Sequence, residues 1–176
     1  MRRSTGELMR GRHNRVRRGG FSLVEVAVTT TIVGVGVTAL LLSVGSGTKV
    51  NAGASELTQA VFLAQEIREW TIKLPFSDPD PADQGKPPGP DGSDPQVYVD
   101  DLDDLMGVTY SPPRDGRGLA ITSAIGWAQR ITITWRDPDN LASIVGDGAT
   151  DVVYVQVDIL HRGRCVYTTG WIVARR

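Results

Sequence analysis

The longest uncharged stretch of this chain constrains its fold more than any other feature. Residues 26–48 contain no Asp, Glu, Lys or Arg, and Lys49 is the first charged residue after them. As an α-helix this stretch is about 35 Å long, which is enough to cross the ~30 Å hydrocarbon core of a bilayer. We therefore predict a transmembrane helix near the N-terminus.

Glu25 is the one charge in the apolar run, which begins at Phe21. An ionised carboxylate inside a membrane span costs several kcal/mol unless it finds a partner. We therefore expect Glu25 to have a specific interaction.

The charge of the chain is unevenly distributed. Residues 1–20 hold seven arginines and one glutamate, whereas residues 21–176 carry a net charge of −7. The positive-inside rule predicts that the basic leader stays cytoplasmic and that the acidic remainder crosses the membrane. The arginines adjoin an apolar span and lack interleaved aromatic residues, so no nucleic-acid partner is predicted.

The helical pattern continues beyond the apolar run. Apolar residues recur at intervals of three and four as far as Leu74, and Pro75 ends the pattern. We predict one long helix over about 21–74. Its first part, 21–48, spans the membrane, and its amphipathic part, 49–75, packs one face on a small domain.

The segment 76–99 is predicted to be an exposed acidic loop. Its part 77–96 is dominated by Pro, Gly and Asp and has no apolar residue beyond Ala82. The aspartates do not match the EF-hand spacing, and one Cys with two distant His gives no zinc-site spacing. We predict no metal and no other cofactor. The run "DDLDDLMG" that follows is expected to form a short helical turn anchored by Leu102, Leu105 and Met106.

Residues 100–176 are predicted to form an antiparallel sheet domain. "RITITW", residues 130–135, alternates apolar and polar residues, and 152–160 with 164–174 form a predicted hairpin that turns at Gly163. A short strand is also predicted over 118–122, whereas 136–140 and 146–151 are predicted connections. The fold class is therefore α+β, with a long N-terminal membrane helix followed by a small antiparallel β-sheet domain.

No arrangement of residues in the sequence indicates catalysis. No G-x-S-x-G elbow with a nearby histidine occurs, and the acidic loop alone does not define a paired-carboxylate site. We predict that the chain is not an enzyme and name no catalytic residues.

The stretch "RRGGFSLVEV" with the apolar run behind it resembles the class III prepilin signal of type IV pilins and type II secretion pseudopilins. Four features coincide at fixed offsets: basic residues, a Gly20–Phe21 junction, Glu25 at the fifth place after the junction, and about twenty uncharged residues. The match covers residues 17–48. The pattern looks closest to the minor pilins of the pilus-modification (PilV-like) group.

The resemblance implies a maturation route. A membrane aspartyl prepilin peptidase would cut after Gly20, remove the leader 1–20 and methylate the new amino terminus at Phe21. The mature subunit would polymerise with other pilin or pseudopilin subunits through bundled N-terminal helices, and Glu25 would support assembly. The further implied partners are the inner-membrane assembly platform and the lipid bilayer. The implied location is the bacterial inner membrane, as a single-pass protein with its C-terminal domain outside the cytoplasm, and then a pilus or pseudopilus.

The chain departs from the family pattern in two places. Leu42 stands where many pilins have a proline, and Cys165 has no second cysteine for the C-terminal disulfide that many pilins carry. The missing disulfide favours a minor subunit over a major one that bears mechanical load.

Three other interpretations remain open at this point. One is a secretory signal cleaved after Ala54, although the apolar run is about twice the usual length. Another is a twin-arginine signal at Arg17 and Arg18. The third is a signal-anchored single-pass membrane protein with a periplasmic binding domain. The sequence does not distinguish a type IV pilus from a secretion pseudopilus or a DNA-uptake filament.

Overall fold

The computed structural model describes residues 20–81, 85–90 and 94–175. Apart from Gly20, the predicted leader lies outside the described residues. Asp83 and Asp91 of the acidic loop also lie outside them.

One long helix, α1, runs over Leu23–Lys73, which confirms the predicted helix over about 21–74. It ends where expected, since Pro75 follows it and Leu74 makes the last i to i−4 hydrogen bond, to the Trp70 carbonyl. The chain divides into two compact units, Met1–Thr48 and Lys49–Arg176. The division along α1 therefore falls at the first charge after the uncharged stretch.

The second unit contains a five-stranded antiparallel sheet. In chain order its strands are β1 Thr109–Tyr110, β2 Trp127–Asp137, β3 Asn140–Ile144, β4 Val152–His161 and β5 Arg164–Ala174. The sheet order is β1-β2-β4-β5, and β3 pairs with β2 beyond the main sheet. The α+β class is thus confirmed at the level of one long N-terminal helix and an antiparallel sheet.

Strong periodic patterns located the central strands correctly. The "RITITW" segment lies inside β2, and β4 and β5 form the predicted hairpin. Its two-residue turn is Arg162–Gly163, where φ is 51° and 80°. Positive φ at both positions is the geometry that matches the twist of a tight hairpin, and glycine is favoured there.

Three sequence expectations for the other segments need correction. The strand predicted over 118–122 is wrong, because an Asp115–Leu119 turn occupies this segment and only Ala120 makes an isolated bridge, to Arg114. Neither β3, which begins at the last residue of the predicted connection 136–140, nor β1 was predicted. The turn over 103–105 forms as expected, with Leu102 and Leu105 buried.

The core lies between the second half of α1 and one face of the sheet. Alternate residues of β2 and β4 point into it, and α1 contributes residues at helical spacing. The α1 members are Ala60, Leu63, Ala64, Ile67 and Trp70.

Gln129 is a fully buried polar side chain in this core. Its Nε2 donates to the backbone carbonyls of Leu63 at 2.8 Å and Arg114 at 3.0 Å. Its Oε1 accepts the backbone N–H of Arg114 at 2.6 Å. One amide thus joins α1, β2 and the segment that follows β1, and satisfies every polar group it meets.

We predict that Gln129→Leu destabilises the second unit strongly. The leucine fits by size but leaves the backbone N–H and carbonyl of Arg114 unpaired, and each buried unsatisfied group costs about 1–3 kcal/mol. We expect the free energy of unfolding to fall by at least ~2 kcal/mol, measured by denaturant unfolding of the full chain in detergent. Gln156→Leu, on the half-exposed face of β4, is the matched control and should change it much less. Equal losses in the two variants would contradict the role given to Gln129.

Candidate functional site

The three residues predicted to matter for processing and assembly lie at the beginning of α1. Gly20 and Phe21 precede the helix, and Phe21 is 80% exposed. Ser22 caps the helix, since its Oγ accepts the backbone N–H of Glu25 at 3.1 Å. Glu25 is exposed in the first turn. The predicted junction is therefore outside regular secondary structure, whereas Glu25 is held in the helix.

The Ser22–Glu25 spacing also matches a helix-capping pattern. Ser-x-x-Glu is the capping-box pattern, in which the serine and the glutamate satisfy free N–H groups at a helix start. A carboxylate there also interacts favourably with the positive end of the helix dipole. Glu25 thus has a local structural role available to it besides any role between subunits.

The apolar part of α1 is fully uncovered. Every residue of 23–48 is exposed, and the helix is long and apolar enough to cross a membrane. Its large apolar side chains, together with those flanking it, are between 50% and 88% exposed; they are Phe21, Leu23, Val24, Val26, Val28, Ile32, Val33, Val35, Val37, Leu40, Leu41, Leu42, Val44 and Val50. Exposed apolar surface of this extent marks a site for lipid or for other chains.

The threonine hydroxyl groups within this segment are satisfied inside the helix. The side chains of Thr29, Thr30 and Thr31 donate to the carbonyls four residues earlier at 2.7–2.9 Å. Thr38 does the same to Gly34 at 2.8 Å. Because hydrocarbon supplies no hydrogen-bond partners, such bonds lower the cost of placing threonine in a membrane.

A second group of residues, which we call the Glu56 cluster, was not predicted from sequence. Glu56 Oε1 lies 2.7 Å from His161 Nδ1, and both Glu56 oxygens accept from Arg164 at 3.1–3.2 Å. His161 also stacks on Trp127, with ring centroids 4.4 Å apart. The hydrogen bond from His161, aided by Arg164, holds the pKa of Glu56 below its ordinary value against the opposing effect of burial. The cluster fastens the β4–β5 turn to α1.

Asp101 is a buried acid next to the 103–105 turn. Its Oδ1 accepts the backbone N–H groups of Asp103 and Asp104 at 3.0 and 3.2 Å. Burial, aided by the nearby Asp103 carboxylate, raises the pKa of Asp101 to about 8. Among the described residues, no three His, Cys, Asp or Glu side chains are arranged to hold a metal. The expectation that the chain needs no metal stays a prediction.

Comparisons of the chain with protein-family models, curated proteins and solved structures found no match. The resemblance to the prepilin signal therefore rests on the residues of the N-terminal segment alone and stays a prediction.

We predict that Asp101 makes the chain less stable as pH rises. Its pKa is near 3.8 in the unfolded chain and about 8 in the fold, so the folded state binds the extra proton between these values. The free energy of unfolding therefore decreases from about pH 4 to pH 8 through this residue. Asp101→Asn mimics the neutral acid and should flatten the dependence in denaturant titrations of the full chain in detergent. Asp139→Asn in an exposed turn is the control and should leave the slope unchanged. An unaltered slope in Asp101→Asn would show that its pKa is not raised.

Proposed function

We propose that the chain is a minor pilin or pseudopilin subunit. In this role it is cut after Gly20 by a prepilin peptidase, methylated at Phe21 and assembled through α1 into a type IV pilus or a secretion pseudopilus. The observation that carries the proposal is the coincidence at one place of an exposed Gly–Phe junction, a capped helix start with Glu25, and a fully uncovered apolar helix.

The geometry of the junction suits a peptidase that works at the membrane surface. Proteolytic cleavage needs an extended backbone, and the helix does not begin until Leu23. Glycine before the cut removes side-chain hindrance and gives the backbone freedom to adopt the bound conformation. The basic leader 1–20 would keep this end cytoplasmic, where the peptidase and N-methyltransferase acts.

The uncovered apolar helix supports assembly in which contacts with lipid are replaced by contacts with other subunits. Before assembly, lipid covers the side chains of 23–48; in a filament, the same side chains would contact the N-terminal helices of neighbouring subunits. When the helix leaves the lipid for a filament, the Glu25 carboxylate needs a cation as its partner. Cleavage creates one, the Phe21 amine, one helical turn away in the same chain or nearby on a neighbour. Pairing of the two offsets the desolvation cost of both charges.

The first prediction of this proposal concerns processing. The mature chain should begin at N-methylated Phe21, which intact mass of the membrane-extracted protein would measure. Gly20→Val should leave the precursor uncut, because a β-branched residue restricts the backbone at the cut. Ala54→Val is the matched control, and it should block cleavage only if the segment is a secretory signal. A mature chain that begins at Met1 would instead favour the signal-anchored membrane protein.

The second prediction separates the charge of Glu25 from its role at the helix start. Glu25→Gln keeps the capping-box pattern, which accepts Glu or Gln, and removes only the charge. Losing a charged hydrogen-bonding partner costs about 1–3 kcal/mol, so incorporation into filaments should fall about tenfold or more. Sheared filament and membrane fractions would be compared by immunoblot.

Ser22→Ala provides the complementary control for Glu25. It removes the Oγ that caps the helix and keeps the carboxylate, so incorporation should fall less than in Glu25→Gln. Equal incorporation of Glu25→Gln and wild type would show that the charge has no role in assembly. Cleavage should be normal in both variants.

A further inference from the structure

One end of the second unit carries a small set of exposed basic and apolar side chains. The β4–β5 turn presents Arg162, and the neighbouring loop presents Ile125, which is 85% exposed. The two segments are joined, since the backbone N–H of Arg162 donates to the Gly126 carbonyl at 2.7 Å. We call this surface, together with Arg164 and Lys49, the basic tip.

The Glu56 cluster fixes the position of the basic tip along α1. Arg164 and His161 both bind Glu56, so the turn lies beside that residue of the helix. Lys49 precedes Glu56 by seven residues, which is two helical turns and about 10 Å, and so lies on the same face. The basic tip is therefore at the end of the Lys49–Lys73 segment that adjoins the uncharged stretch in sequence.

The charges of the second unit are separated along the strands. Within the Glu56 cluster the carboxylate is matched by Arg164, whereas the exposed cations Lys49 and Arg162 form no ion pair with any described residue. Among the described residues, acidic side chains gather at the other end of β2 and β4. They include Asp78, Asp103 and Asp147 around one cavity, which Lys86 and Arg175 also line, with Asp137, Asp139 and Asp151 in the adjoining turns. An anionic surface would attract the basic tip and repel the acidic end.

We propose that the basic tip rests on the anionic headgroups of the bilayer that holds residues 26–48. Lysine and arginine next to a membrane span are attracted to anionic lipid, and an exposed isoleucine beside the β4–β5 turn can enter the interface. In sequence, Lys49 directly follows the uncharged stretch, and Glu56, which binds Arg164, comes seven residues later. The contact would hold the second unit against the membrane. It requires membrane insertion only, so it stands or falls independently of filament assembly.

Cys165 provides a probe at this surface. It is exposed, follows Arg164, and is the only cysteine in the chain. A fluorophore on Cys165 of the full chain would be followed in nanodiscs that contain a lipid with a spin label on its headgroup. Quenching should be at least about twofold greater with 25% phosphatidylglycerol than with phosphatidylcholine alone. It should fall toward the phosphatidylcholine value in 0.5 M salt, where screening is stronger.

Two variants and a control connect the effect to the basic tip. Arg162→Asn removes the charge and keeps a residue that tolerates positive φ, so the turn is preserved. It should abolish most of the difference between the two lipids, and Ile125→Ser should reduce quenching in both. Arg117→Asn is the matched control, because Arg117 is exposed in the turn whose Gly116 carbonyl binds Lys73 at the other end of α1. It should behave like wild type.

Three outcomes would overturn the proposal. One is equal quenching in the two lipids, and another is an equal loss in Arg117→Asn. The third is self-quenching between labels in nanodiscs with two copies, together with no headgroup quenching. This result would show that the basic tip is an interface between copies of the chain. Near-ultraviolet circular dichroism of each variant would verify that the fold is retained.

Discussion

The rest of the structure depends on one constraint: no described part of the chain covers the apolar side chains of residues 23–48. A helical surface so apolar cannot stay in water at a tolerable free energy, so it must lie in lipid or against other helices. Other features of the segment agree with this requirement. Its threonines bond to their own backbone, and the first charge after it, Lys49, coincides with the beginning of the compact second unit.

The second half of α1 is hydrogen-bonded to the sheet at two places. Gln129 binds the Leu63 backbone in the dry core, and the Glu56 cluster binds the β4–β5 turn at the partly exposed end. The two contacts differ in their response to conditions. The amide bonds carry no charge and are insensitive to pH and salt. The Glu56 contribution to stability is present above its unfolded pKa and is lost as pH falls through the lower folded pKa.

Periodicity predicted the parts of the fold that are stabilised by burying one face. The bounds of α1, the strand at 130–135 and the β4–β5 hairpin were all predicted within a few residues. β1 has two residues and β3 has five largely exposed ones, so neither shows a buried alternation. The 118–122 segment has β-branched residues but forms a turn. The reason is that Asp115 makes hydrogen bonds to residues only a few positions away, whereas a strand would need a more distant partner. Gly20, Phe21 and Glu25 were found by spacing, whereas Glu56 and Gln129 were missed because their partners are 105 and 66 residues away.

The bonds made by Gln129 have a consequence for sequence variation. They run to main-chain atoms of Leu63 and Arg114, which every residue type except proline retains in full. A change of side chain at either position leaves these bonds intact, so no compensating change at position 129 is needed. This contact between helix and sheet would therefore leave no correlated substitutions between these positions in related sequences. It would appear there only as a single glutamine that does not change.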